Sequence, residues 1–541
     1  MAPPSSEESQ SMLQYHNVDF PKVTKIKDGC EDLENNNNNN NDEVKVTYHE
    51  KKGISLYSSN GKGVFAQCLV TGAVLLLAAG GGMPIGYSAI LLPQLALENG
   101  TMHVDQELGS WIASVHSLAS PVGSLLSGPF LDAVGRRGCL QLSAIPLCVG
   151  WIVMGVAGSI SYILAGRILT GFAVGLMAVP LQVLLSEMAD PGLRGFLTGG
   201  AFASYCFGIL LIYTFGASFN WDVVAFCGSV LPALAFVALS LVPESPAWLV
   251  RRRKVEKARK ALLWLRGNDM EQVNIEIAVL EERMRADVVP KSENVSFMDQ
   301  FVSGVSTILD PAVLKPLTII NIFNILQLIS GTYVIVFYAV DLVKDIGGNS
   351  LDNYLAAVVT AIIRLAFCLL MCYLLLKAGR RTLGIFSAIG TSLASLALAG
   401  YMMARTESSY IDNYVLGVCL LVYVGANTLG LLTLPGLMSA ELLPQRARGI
   451  GGGCNFCLSN ILIFVVTKWF PMVNSAVGVA GIFTIFGISA FLEAVFIYVA
   501  LPETKDCTLQ EIEDYFQQDN LLWITRPKKE NDGKIYIPVT V

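Results

Sequence analysis

Asn321, Asn324 and Gln327 recur at three-residue spacing inside an apolar run, which places three neutral amides along one side of a helix. Amides offer donors and acceptors without demanding a counter-charge, so the stripe suits a polyhydroxyl solute; it serves equally as hydrogen-bonding glue between helices. Arg364 stands in a second apolar stretch and Glu493 in a third. An ionisable side chain deep in such a segment is a functional candidate by default. Three uses are open to Arg364: bonding a solute, attracting an anionic one, or pairing with Glu493.

A second set of chemically capable residues sits at the ends of apolar stretches and occurs twice. Gly135-Arg136-Arg137 returns as Gly379-Arg380-Arg381, Glu187 with Arg194 returns as Glu441 with Arg448, and Pro243-Glu244-Ser245 returns as Pro502-Glu503-Thr504. Each motif is weak alone, but the ordered triple marks an internal duplication. Guanidinium forks facing carboxylates form strong pairs, while their desolvation cost keeps an opened state within a few kcal/mol. Arg136, Arg137, Glu187, Arg194 and Glu244 therefore read as one candidate gate network, and Arg380, Arg381, Glu441, Arg448 and Glu503 as its repeat.

The elements that must carry these residues follow from composition. Of 541 residues, 53% are hydrophobic and only 15% charged, against about 25% charged in soluble proteins. With a mean hydropathy of +0.54, lipid rather than water must face most of the exterior, which excludes a soluble enzyme. A net charge of −6 and a pI near 5.4 leave no basic stripe for nucleic acid. No His/Ser/Asp constellation or metal-ligand cluster is apparent and there are only four histidines, so no catalysis, cofactor or metal is expected. Nine of the twelve cysteines lie in apolar stretches and read as small buried hydrophobes without structural disulfides. Cys454 and Cys457 have the spacing of a redox or metal pair, but their Gly-rich apolar setting favours the same reading.

Apolar segments long enough to cross a ~30 Å hydrocarbon core run at about 66–95, 108–130, 139–158, 162–186, 196–217, 223–243, 313–344, 353–376, 382–403, 413–439, 449–472 and 478–501. The expected fold is an all-α polytopic membrane protein, with six-helix bundles over 66–243 and 313–501. Residues 244–312, rich in Arg and Lys, form the linker between the bundles, and such density marks the cytoplasmic side. Residues 1–65, with the run Asn35 to Asn41, are expected to be a disordered tail, and 502–541 a second tail, both cytoplasmic. Asn99-Gly100-Thr101 then falls on the outer face as a glycosylation sequon.

The motif set Asp132-Ala-Val-Gly135-Arg136-Arg137, Gly166-Arg167, Glu187 to Arg194-Gly195, Pro243-Glu244-Ser245-Pro246-Ala-Trp248-Leu249, Gly379-Arg380-Arg381, Glu441 to Arg448-Gly449 and Pro502-Glu503-Thr504-Lys505 strongly resembles the sugar porter family of the major facilitator superfamily. The resemblance covers about residues 66–520. Within that family, Ala258 to Gly267 and Phe464 to Lys468 are most similar to insect facilitated trehalose transporters. It implies twelve helices, a cytoplasmic helical linker domain over 244–312, passive passage of a sugar, and a gate role for Asp132 beside the arginines.

It also implies substrate contacts at Gln327, Asn324, Tyr333, Arg364, Phe202 and Asn460, yet these positions depart from the family. Its seventh helix usually reads Gln-Gln-x-Ser-Gly-x-Asn, and here Gln327-Leu328-Ile329-Ser330-Gly331-Thr332-Tyr333 keeps one glutamine. The tenth-helix tryptophan is Gly436, the eleventh-helix Asn-Trp is Ser459-Asn460, a fifth-helix glutamine is Phe202, and Arg364 stands where an asparagine is usual. Ser88 occupies the first-helix position that is aspartate in proton-driven members, which favours facilitated diffusion.

The expected function is thus a plasma-membrane facilitative carrier of a sugar or polyol, working by alternating access as a monomer in the lipid bilayer. A sugar sensor of the same fold and a carrier of organic anions are the competing readings.

Overall fold

In lipid, backbone polar groups are satisfied within helices, and among the described residues of the computed structural model every regular element is an α-helix. The structure describes residues 61–98, 102–189, 194–286, 310–347, 353–404, 410–444, 448–505, 512 and 515–516. The first half comprises α1 (Gly61–Leu97), α2 (Gln106–Val134), α3 (Arg136–Gly155), α4 (Ile160–Met188), α5 (Arg194–Gly216) and α6 (Trp221–Ser240). Next come α7 (Pro246–Arg251), α8 (Val255–Leu265) and α9 (Met270–Ala286), which pack through Leu249, Ala258, Leu262, Val273 and Ile277. The second half comprises α10 (Pro311–Ile329), α11 (Val334–Phe337), α12 (Ala339–Gly347), α13 (Asn353–Lys377), α14 (Arg380–Ala404), α15 (Tyr410–Leu429), α16 (Leu434–Leu442) and α17 (Arg448–Ala500).

Among the described residues, nine helices are long and apolar enough to cross a membrane. Three local features make this count consistent with the twelve expected crossings. Helix α2 has the length, but Pro121, Pro129 and a row of serines dilute its apolar character. The seventh span breaks after Ile329, because Gly331 takes φ +86° and the Phe486 ring occupies the place where its side chain would stand. The eleventh and twelfth spans run together as the 53 residues of α17. That length would reach ~80 Å as a straight helix, far beyond one crossing, and Gly478 divides it at φ 70°, ψ 170°. The tenth span is also interrupted, between α15 and α16.

Within the first half, α1 packs on α5, and α4 packs on both α2 and α3; within the second, α17 packs on α10 and α14. The halves meet along two seams, α2 against α17 and α5 against α13, while α11 and α12 close onto α1. Polar ties join the two halves at the end remote from Arg136 and Arg380. Gln106 Nε2 donates to Pro471 O at 3.0 Å, Lys468 Nζ donates to Ser110 Oγ at 2.7 Å, and Tyr213 OH donates to Val336 O at 2.6 Å.

Candidate functional site

Backbone broken inside a membrane must find partners on other segments, and the breaks of the seventh and tenth spans find them in each other. Gln327 Nε2 donates to Leu431 O at 2.6 Å, and Leu431 N donates to Ser387 Oγ at 3.1 Å. Tyr423 OH donates to Ser330 O, Thr332 Oγ1 to Gln327 O at 3.1 Å, and Asn427 Nδ2 to Thr332 Oγ1 at 3.0 Å. Asn324 Nδ2 donates to Asn455 Oδ1 of α17 at 2.7 Å. Thus Asn324 and Gln327 of the amide stripe act as inter-helix glue in this conformation, while Asn321 keeps a buried Oδ1 without a hydrogen-bond partner. Asn460 donates to Phe456 O of its own helix at 2.9 Å.

Arg364, half-way along α13, is 4% exposed and donates from Nη1 to Thr332 O at 3.5 Å. It does not pair with Glu493, the third use open to it. Glu493 is fully buried in α17, and neither carboxylate oxygen has a hydrogen-bond partner. Tyr423 lies within electrostatic reach of both Arg364 and Glu493. Tyr333 follows Thr332, whose carbonyl Arg364 meets, in the break after α10. Phe202 of α5 reaches across the seam: a Cβ on Gly436 would lie 3.1 Å from Phe202 Cζ. The first half therefore supplies an aromatic ring in the room that Gly436 leaves.

The duplicated charged motifs fold into two matching clusters. Arg136 grips Glu187, with Nη2 to Oε1 at 3.0 Å and Nε to Oε2 at 3.0 Å, and Ser245 Oγ also donates to Glu187. In the repeat, Arg380 Nη2 meets Glu441 Oε1 at 3.2 Å and Thr504 Oγ1 donates to Glu441. Arg137 Nη1 donates to Val242 O at 2.7 Å, as Arg381 Nη2 does to Tyr498 O.

Glu244 and Glu503 also bind backbone N–H groups. Glu244 accepts from the backbone N–H groups of Arg136 and Arg137 at 3.0 Å each and of Gly138 at 3.3 Å. Glu503 accepts from Arg380 N at 2.9 Å and Arg381 N at 3.2 Å. Each carboxylate closes the N-terminus of a helix, where unpaired N–H groups and the helix dipole favour an anion. Gly135, at φ +97°, leaves the room that the Glu244 carboxylate fills. Both described ion pairs of these clusters, Arg136–Glu187 and Arg380–Glu441, stay inside their own half. Asp132 enters through its carbonyl, which accepts from Trp248 Nε1 at 3.1 Å and from Arg252 Nη2 at 2.5 Å. The side chains of Arg194 and Arg448, and residue Asn99, lie outside the described residues.

Removing the Glu244 cap gives a graded result. Glu244→Ala releases three N–H groups and costs about 2 kcal/mol, whereas Glu244→Gln, whose amide oxygen still accepts, costs less. The thermal midpoint of the detergent-purified protein, read by size-exclusion after heating, should fall in that order. Equal losses in the two variants would assign the effect to charge alone.

Arg167 was visible in the Gly-Arg motif, but its role was not. It is fully buried in α4 and donates to Pro84 O, to Ser88 Oγ at 2.6 Å, to Ile112 O at 3.0 Å and to Ala113 O at 3.0 Å. A charge alone in a predicted span was the available signal, and its carbonyl partners leave no trace in a sequence.

The arrangement, two duplicated halves with polar groups at mid-depth and charged clusters at one end, has clear relatives. The family model for sugar (and other) transporters matches residues 75–516. The facilitated trehalose transporter Tret1 of Drosophila erecta is 30% identical over 474 residues, 87% of this chain and 54% of that protein. The chain thus spans about half the length of that relative. The Tret1 of Polypedilum vanderplanki is 30% identical over 478 residues, 87% of this chain and 92% of that protein. Among solved structures, the inward-open xylose transporter XylE from E. coli matches with a TM-score of 0.67 at 20% identity, covering 83% of this chain and 99% of that one. Matched by the family model over most of its helical length, the chain belongs to the sugar (and other) transporter family.

Proposed function

We propose that this protein is a facilitative carrier of a sugar or related polyol that works by alternating access in the plasma membrane. The observation that carries this reading is the duplication itself: two halves meet along two seams, and each bears the same charged cluster at the same end. Such a pair of bundles rocks about a central site. Arg136, Arg137, Glu187 and Glu244, with Arg380, Arg381, Glu441 and Glu503, act as the cytoplasmic gate, joined by Arg194, Arg448 and the Asp132 carbonyl. Basic residues concentrated at that end support cytoplasmic termini, with Asn99 outside. Closure of α11 and α12 onto α1 at the other end supports a state shut towards the outside.

Passive transport is supported at Arg167, whose side-chain partner is the neutral Ser88 rather than a protonatable carboxylate. The test is uptake of labelled trehalose, glucose and inositol by proteoliposomes containing the purified protein, with and without a protonophore. Saturable uptake with accelerated exchange, unchanged by the protonophore, is the expected result. Binding without saturable flux would instead identify a sensor, and flux abolished by the protonophore would identify a symporter.

A further inference from the structure

We propose that the central site is an anion site, in which Arg364 and the hydroxyls of Tyr205 and Tyr333 hold a carboxylate-sized anionic group carried by the transported solute. This inference rests on the carrier reading and narrows its substrate to acidic sugars, of the uronate type.

Three observations place the site. Arg364 lies near the middle of the 25-residue α13, Tyr205 near the middle of α5, and Tyr333 in the break between α10 and α11. All three therefore sit at mid-depth, where solutes bind in two-bundle carriers. Arg364 meets the carbonyl of Thr332, the residue before Tyr333, and Phe202 and Cys206 around Tyr205 pack with Leu365 and Cys368 around Arg364, so the groups converge across the seam between α5 and α13.

The second line is charge. The Arg364 guanidinium is 4% exposed, and among the described residues it belongs to no ion pair and makes one hydrogen bond, the 3.5 Å contact with Thr332 O. Arginine has five N–H donors and holds its proton even when buried. An uncompensated cation at mid-membrane is costly, and a neutral polyol offers it no counter-charge. A carboxylate supplies that charge and matches the guanidinium fork with two parallel hydrogen bonds.

The third line is donor supply. Tyr213 and Tyr423 also lie within electrostatic reach of Arg364, but their hydroxyls already donate to Val336 O and Ser330 O. The hydroxyls of Tyr205 and Tyr333, both half-buried, make no hydrogen bond among the described residues. Two free O–H donors beside an unpaired guanidinium, with no carboxylate among them, form a set suited to an anion. Because Tyr205 comes from one half and Arg364 from the other, binding the anion draws the seam together.

The same chemistry accepts a free halide, and the experiment separates the two sources. Binding and proteoliposome uptake of labelled glucuronate and labelled glucose are measured for the wild type, Arg364→Asn and the double variant Tyr205→Phe/Tyr333→Phe, with and without chloride. The wild type should prefer glucuronate, and Arg364→Asn should lower the glucuronate-to-glucose ratio about tenfold or more. Glucose flux that requires chloride in the wild type, but not in Arg364→Asn, would assign the site to the halide. If Arg364→Asn does not yield monodisperse protein, the tyrosine pair carries the test through the same ratio. A ratio and a chloride response unchanged in the variants overturn the anion site. Arg364-dependent glucuronate binding without flux of any solute would keep the site and reject the carrier reading.

Discussion

Arg167→Leu is expected to abolish solute flux, with Arg167→Lys retaining a small fraction and Ser88→Ala most of it. Arg167 is fully buried and joins three helices, donating from α4 to Pro84 O and Ser88 Oγ on α1 and to Ile112 O and Ala113 O on α2. Hydrogen bonds from a charged donor contribute about 1.5–3 kcal/mol each. Leucine removes all four together, and the three helices lose their shared tie. Lysine keeps the charge but presents it as a single point, which cannot span acceptors on α1 and α2 at once as the planar fork does. Ser88→Ala removes one partner and leaves three. Uptake rates and thermal midpoints should therefore rank Ser88→Ala above Arg167→Lys above Arg167→Leu. If Ser88→Ala proved as damaging as Arg167→Leu, the arginine would act through that hydroxyl and the clamp would be rejected.

What the sequence revealed, and what it hid, follows from the range of each interaction. The duplicated motifs were legible because they sit at helix ends, where local chemistry is written into adjacent residues. Both halves then place Arg136 and Arg380, Glu187 and Glu441, and Ser245 and Thr504 in matching contacts. The helix-capping role of Glu244 was hidden, since it depends on which helix start approaches Pro243-Glu244-Ser245 in space. Gln327 reads as a solute ligand from its amide alone; its bond to Leu431 O exists because the tenth span breaks inside an apolar run. Hydropathy records depth, not which sides of helices face each other, and so it could not separate Arg364 from Glu493. Nothing in the sequence singles out Tyr205 from other aromatic residues in spans; only the packing of α5 on α13 brings its surroundings to those of Arg364.

Gly175→Leu should eliminate folded protein from the membrane, while Gly72→Leu should leave expression and flux near wild type. Both glycines lie in predicted spans and both substitutions add the same side chain, so membrane insertion alone favours both. Their surroundings differ. A Cβ at Gly175 would collide with the carbonyl of Ser120, one at Gly171 with the carbonyl of His116, and one at Gly123 with that of Phe172. These three glycines interlock α2 with α4 at backbone contact, the close approach that small residues permit in membranes. Ser120 Oγ, 3.0 Å from Gly171 O, adds a hydrogen bond across the same junction. A backbone carbonyl cannot rotate aside as a flexible side chain can, so leucine must drive the two helices apart. That separation would also pull Ile112 O and Ala113 O away from Arg167, so the packing failure becomes a polar one. Gly72, by contrast, is exposed and has nothing within 4 Å of an added Cβ. Size-exclusion profiles of the fluorescently tagged variants separate the two outcomes, and a monodisperse Gly175→Leu peak with normal flux would refute the interlock.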